Sequence, residues 1–287
     1  MPTFTRRGAA LSFAALAAPL LNRTARSQAP ADWRLSKETD WPDFARRFEE
    51  IGTSGTFVML DARLGGRLVA HPGRAQTGYL PSSTFKIPNT LLALHLGAVR
   101  DLDEEAFRWN GQRFVLDGKP ALPPACDADV SLRVAFRNSC IPVYQEIARR
   151  IGAEAYREWL IKLDYGNAEI GGAPLDEFWM KGDLRVSADQ QAKFLRKLVI
   201  KTLPVTPRAT SLTEEIMFIE KIGDTSIHGK GGLAVAEKPA VGWWVGYAQR
   251  NESLVLLALN LDMKSEAHGE ARYGLVKEAL RQTGLLA

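Results

Sequence analysis

The stretch Pro81-Ser82-Ser83-Thr84-Phe85-Lys86-Ile87-Pro88-Asn89 places a serine and a lysine three residues apart where a helical pattern begins. Residues i and i+3 face the same way on a helix, so the Lys86 amine lies beside the Ser83 hydroxyl. A serine hydroxyl is a weak nucleophile at neutral pH and needs a neighbouring base. Lys86 serves only when its charge is removed, by burial or by covalent modification. At the first turn, Ser83 also offers its backbone N–H near the positive helix end, where an oxyanion is stabilised. Ile87, Leu91, Leu94 and Leu96 supply the apolar side that buries the helix. Ser-x-x-Lys by itself is a common spacing, ordinarily a capped helix with a solvated lysine, so the rest of the chain decides its meaning.

On the N-terminal side, a helix opens at Trp41-Pro42-Asp43, buries Phe44, Phe48 and Ile51, and ends at Gly52. Residues 56–61 read as a strand, Gly65-Gly66 as a turn, and 67–70 as its hairpin partner. On the C-terminal side, residues 101–130 are irregular, with prolines at 120, 123 and 124. Helices are expected at 132–138, 143–151, 153–163, 188–200 and 212–220. Strands follow at 225–230, 242–248 and 254–261, and an amphipathic helix at about 271–284. Strands at both ends and helices between them imply an α/β chain of the α+β type. Its central antiparallel sheet is built from the two termini, with a helical region adjoining it.

Residues 1–29 read as a cleaved export signal. Thr5-Arg6-Arg7-Gly8 is a twin-arginine start, residues 9–21 are a modest apolar run, and Ala25, Ser27 and Ala29 are small residues near a cleavage point. The run is too short for a permanent anchor, so no stable membrane insertion is expected. Residues 30–287 are left as one domain in the periplasm, either monomeric or homodimeric. Arg6, Arg7, Arg23 and Arg26 lie in the signal and no acid precedes Asp32, so these four arginines account for the whole formal charge of +4. No basic surplus remains to engage nucleic acid. The two cysteines, Cys126 and Cys140, exclude a disulfide-dense scaffold and most zinc sites. An oxidising compartment would permit a bridge, but Cys140 reads first as a small buried core residue.

Further candidates are Ser139 at a helix end before Pro142, and Tyr165-Gly166-Asn167 in a turn. Others are Trp179 in Phe178-Trp179-Met180, Lys230 in His228-Gly229-Lys230-Gly231-Gly232, and Arg272 near the start of the last helix. Singly, each reads as structural: a cap, a turn, a core aromatic or a solvated face. Gly229-x-Gly231-x-x-Ala234 matches a loose dinucleotide fingerprint, but no helix follows it. Four scattered histidines form no triad or zinc set, and no metal is expected.

Their order along the chain resembles the class D (oxacillinase-type) serine β-lactamases over nearly all of residues 30–287. The resemblance rests on 81–89, Ser-x-Ile-Pro-Val-Tyr-Gln-Glu at 139–146, Tyr-Gly-Asn at 165–167 and Gly-Gly at 171–172. Phe-Trp-Met-Lys-Gly-Asp-Leu-Arg-Val-Ser-Ala at 178–188 and Val-Gly-Trp-Trp-Val-Gly-Tyr at 241–247 complete it. It implies that Ser83 attacks the β-lactam carbonyl, and that Lys86 carries a carbamate (N6-carboxylysine) formed from carbon dioxide or bicarbonate and acts as general base. No other cofactor is implied. Trp179 would hold the carbamate, Phe85 and Val143 would keep its pocket apolar, and Ser139 would relay a proton to the leaving nitrogen. Lys230 and Arg272 would receive the substrate carboxylate, beside Gly232. The N–H groups of Ser83 and Leu233 would form the oxyanion hole.

The chain departs from the family pattern twice. Ile141 stands where Ser-x-Val has valine, and Lys230-Gly231-Gly232 replaces Lys-Thr-Gly or Lys-Ser-Gly, removing a hydroxyl that binds the carboxylate. Two alternatives share these features: a β-lactam sensor that acylates without turnover, and a penicillin-binding-type D-Ala-D-Ala peptidase with an unmodified lysine.

Overall fold

The last strands show most directly why this sequence makes a sheet covered on both faces. Val255, Leu257, Leu259 and Leu261 join one apolar cluster, whereas Leu256 and Ala258 join the other. Alternate residues of a strand point to opposite faces, so a run this apolar needs cover on both sides. The computed structural model describes Ala29 and residues 32–287, apart from 117 and 118. The export signal expected at 1–29 therefore lies outside the described residues, save for Ala29.

Seven strands form the main sheet: β1 (Thr39–Asp40), β2 (Gly55–Asp61), β3 (Arg67–Ala70), β8 (Phe218–Ile222), β9 (Thr225–Ala234), β10 (Val241–Arg250) and β11 (Ser253–Asp262). Their order is β1-β3-β2-β11-β10-β9-β8, so strands from the two ends of the chain meet at the β2–β11 pair. Every pairing is antiparallel except β1 with β3. Two small ribbons lie apart, β4 (Ala106–Phe107) with β7 (Val130–Ser131) and β5 (Val115–Leu116) with β6 (Lys119–Pro120).

Helices α1 (Pro42–Glu50) and α10 (Ala267–Gln282) cover one face through Phe44, Phe48, Leu275, Val276, Ala279 and Leu280. The short α2 (Pro72–Ala75) follows β3. On the other face lie α3 (Lys86–His95), α4 (Leu132–Asn138), α5 (Ile141–Ile151), α6 (Ala153–Leu163), α7 (Phe178–Lys181), α8 (Ala188–Val199) and α9 (Pro207–Ile216). None of the described helices is long and apolar enough to cross a membrane.

The helix expected at 212–220 needs correction. It starts earlier, at Pro207 behind the Thr206 cap, and stops at Ile216, after which Phe218–Ile222 becomes the edge strand β8. Leu212, Ile216 and Ile219 fit helical spacing, but pairing of Phe218 with His228 and Lys221 with Ser226 takes the later residues into the sheet.

The cysteines also differ from the expectation. Cys126 and Cys140 are joined by a disulfide across a Cα separation of 5.4 Å. Cys140 is buried as expected, but not as a free core thiol.

Candidate active site

Ser83 lies in a 3-10 turn, Ser82–Phe85, that runs directly into α3 at Lys86. Three residues per turn bring i and i+3 into register, and Lys86 Nζ donates to Ser83 Oγ at 3.1 Å. The turn is held from several sides. Trp243 Nε1 donates to the Leu80 carbonyl at 3.0 Å, and Gln191 donates to Thr84 Oγ1, which donates in turn to the Pro81 carbonyl. Ser82, just before the nucleophile candidate, has φ of 46°. That left-handed conformation costs an L-residue on the order of 1–2 kcal/mol, and such strain concentrates at functional sites.

Lys86 is 1 % exposed and has no carboxylate partner among the described residues. Its Nζ sits over the Tyr144 ring, 4.9 Å from the centroid. Phe85 stacks on Trp179 at 5.5 Å, and both are buried. Removing an ammonium from water penalises its charge, and Lys230 adds like-charge repulsion; together they hold the Lys86 amine far below the usual lysine range. Trp179 is equally buried, its indole packed against Phe85 and Phe178.

Ser139 ends α4. It occupies the left-handed position with φ of 57°, where helices usually place glycine. Its N–H donates to the Phe136 carbonyl and the Cys140 N–H to that of Ala135, the paired bonds of a Schellman cap. A serine here accepts strain that glycine would avoid, and its hydroxyl receives a 2.5 Å hydrogen bond from Lys230 Nζ. Lys230 is nearly buried on β9, and burial followed by the charge of Arg272 lowers its amine to about 8. Arg272 reaches back from α10 and is fixed by main-chain carbonyls. Nη1 donates to Gly232 and Trp243, and Nε to Gly269. Burial lowers its guanidinium from the usual arginine value.

Ser83, Ser139, Lys230, Gly232, Leu233 and Arg272 all line one cleft of about 570 Å³. Lys86 is not part of the lining but reaches it from the buried side through Ser83. Two glycines of β9 shape it differently. A Cβ on Gly232 would come within 3.0 Å of Thr84 Cγ2 and 3.2 Å of the Pro81 carbonyl, so bare backbone lets β9 approach the nucleophile turn. A Cβ on Gly231 would meet nothing closer than the Trp243 carbonyl at 3.7 Å. Space for a side chain exists where the hydroxyl is missing.

The sequence-expected cleft residues thus converge, and Val143 belongs to the same buried apolar cluster as Phe85. Val143 lines a second cavity, beside Cys126 and Cys140, and Tyr144 supplies the ring against Lys86. Asn167 does not line the cleft; it accepts from Arg185 N and donates to the Asp183 carbonyl. Ile141 lines the cleft. No group of metal-binding side chains occurs among the described residues.

Residues 55–281 match the penicillin-binding-protein transpeptidase domain. Among characterised proteins, the chain is 38% identical to β-lactamase OXA-2 of Salmonella typhimurium, covering 79% of this chain and 77% of that one. It is 35% identical to β-lactamase OXA-48 of Klebsiella pneumoniae, covering 83% and 87% respectively. A class D β-lactamase structure from Nostoc superposes with a TM-score of 0.79 at 32% identity, over 85% of this chain and 99% of that chain. FUS-1 (OXA-85) of Fusobacterium nucleatum superposes with 0.78 at 33% identity, over 85% and 98%. With matching sequence, matching architecture and the serine–lysine cleft in one place, the chain belongs to the class D serine β-lactamase family.

Proposed function

We propose that this protein hydrolyses β-lactam antibiotics through an acyl-enzyme on Ser83, with the Lys86 side chain as general base in its carboxylated form. The observation that carries the reading is a fully buried lysine, 3.1 Å from a cleft-lining serine hydroxyl, whose charged form burial disfavours. A neutral amine takes up carbon dioxide, and the resulting carbamate supplies an oxygen base of the kind a serine nucleophile needs.

The Lys86 side chain accepts the Ser83 proton as Oγ attacks the lactam carbonyl carbon. The ring C–N bond breaks, and the nitrogen receives its proton by way of Ser139, whose hydroxyl Lys230 orients. Backbone N–H groups of Ser83 and Leu233 receive the oxyanion. Water then opens the ester, returning Ser83 and releasing the ring-opened acid. Lys230 and Arg272 form a positive end to the cleft that suits the substrate carboxylate. The twin-arginine start supports export to a periplasm, and the disulfide is compatible with that oxidising compartment. The reading is tested by steady-state hydrolysis of a penicillin at several bicarbonate concentrations; absence of any acylation would overturn it.

Two further outcomes are expected from the carboxylate end. Gly231→Thr restores a hydroxyl where there is room for it. A hydrogen bond to a charged group contributes about 1.5–3 kcal/mol, so kcat/KM should rise roughly ten- to a hundredfold, chiefly through KM. Steady-state kinetics of the variant measure this. The second concerns pH. Lys230 is cationic below its lowered value of about 8 and loses its proton above it. Carboxylate binding should weaken as pH rises through that value, seen as a descending alkaline limb of kcat/KM.

A further inference from the structure

One wall of the cleft comes from the irregular segment after β6, where Ala121, Leu122 and Pro123 face the site. Little holds this wall from behind. Among residues 121–129 only Cys126 is buried. The segment's hydrogen bonds and ion pairs to more distant residues run mainly to its own neighbours: Ala121 to Phe114, Asp127 to Arg113, and Asp129 to Arg108 and Trp109. Further along the chain, Cys126, Ala128 and, from β7, Val130 line a second cavity of about 360 Å³. Leu122 packs in part against the core. The covalent link to the helical body is the Cys126–Cys140 disulfide, flanked by a contact from Cys126 Sγ to the Asn138 carbonyl at 3.8 Å.

The other end of that bond matters as much. Cys140 lies between Ser139, held in its left-handed conformation, and Ile141, which lines the cleft. One bond therefore fixes a wall of the cleft relative to the serine that Lys230 orients.

We propose that the Cys126–Cys140 disulfide is a positioning device that sets substrate selectivity by holding the 121–126 wall against the Ser139 corner of the cleft. The proposal takes its substrate from the β-lactam reading, but its geometry stands without it. Substrates whose side chain is large enough to reach the wall should depend on the bond, and substrates lacking such a side chain should not.

The test compares oxidised protein, protein reduced with a phosphine and then reoxidised, and the Cys126→Ala/Cys140→Ala double variant. Two penicillins are used, one with a bulky aryl side chain and one bearing only the free amine of the nucleus. Loss of the bond should raise KM for the aryl compound about tenfold with little change in kcat, alter the small compound less than twofold, and be reversed by reoxidation. Equal changes for both compounds, or none for either, would overturn the proposal. Hydrogen exchange on the same samples judges the clamp without turnover. Faster exchange confined to 121–126 and 139–141 supports it, and unchanged exchange there contradicts it. Wild-type protein inert toward both compounds would count against β-lactam hydrolysis alone, and the exchange data would still decide the clamp.

Discussion

Ser83→Ala is expected to lower β-lactam turnover by on the order of 10⁴- to 10⁶-fold, the scale seen when a serine hydrolase loses its nucleophile. Ser139 Oγ lies in the same cleft but cannot substitute for it. Its hydroxyl accepts from Lys230, whereas Lys86 Nζ bonds to Ser83. The substitution removes one oxygen from a half-buried position and leaves untouched the Trp243–Leu80 and Gln191–Thr84 bonds that shape the turn. Thermal stability should therefore stay near that of the parent. Kinetics and a melting curve on the same preparation separate lost chemistry from lost fold. Retained turnover would place the nucleophile elsewhere.

The second large effect is expected at Lys86. Removing a positioned general base typically costs 10²- to 10⁴-fold, and Lys86→Met should fall in or beyond that range. Stability should move the other way or not at all. A fully buried amine, with no carboxylate partner among the described residues, is a poor contributor to the core, and methionine fills similar volume with no polar end. A loss of activity with equal or higher Tm marks a residue kept for chemistry at the expense of packing. Carbon-13 NMR in labelled bicarbonate supplies the spectroscopic counterpart: a carbamate resonance in the parent, absent from Lys86→Met, and weakened in Trp179→Phe, which lacks the indole donor. If Lys86→Met hydrolysed penicillin at the parental rate, Lys86 would not be the base.

Much of this site was legible in the sequence because its parts obey short-range rules. Ser83 and Lys86 are paired by helical spacing alone, and the meeting of β2 with β11 follows from apolar runs at both ends of the chain. The resemblance ordered Ser139, Trp179, Lys230 and Arg272 around them. What escaped depends on distances that no local pattern carries. Tyr144 faces Lys86 only because α5 packs on α3, and spacing gave no reason to prefer it to Val143. The Cys126–Cys140 bond requires two segments to approach within 5.4 Å between Cα atoms, one of them an irregular stretch without periodicity. β8 was lost to the opposite fault: Phe218–Ile222 follows a helix closely enough to look like its continuation, and only the edge of β9 reveals it as a strand. The left-handed serines, Ser82 and Ser139, were equally hidden, since serine carries no signal for a conformation that glycine ordinarily supplies.

The measurement that bears most directly on the whole account is stopped-flow hydrolysis of a penicillin paired with intact-mass analysis of quenched enzyme, with and without added bicarbonate. The account predicts many turnovers per enzyme, a rate that rises with bicarbonate, and a transient adduct of one substrate mass that maps to Ser83. A single stoichiometric adduct that persists without turnover, indifferent to bicarbonate, would contradict it and make the cleft a β-lactam receptor.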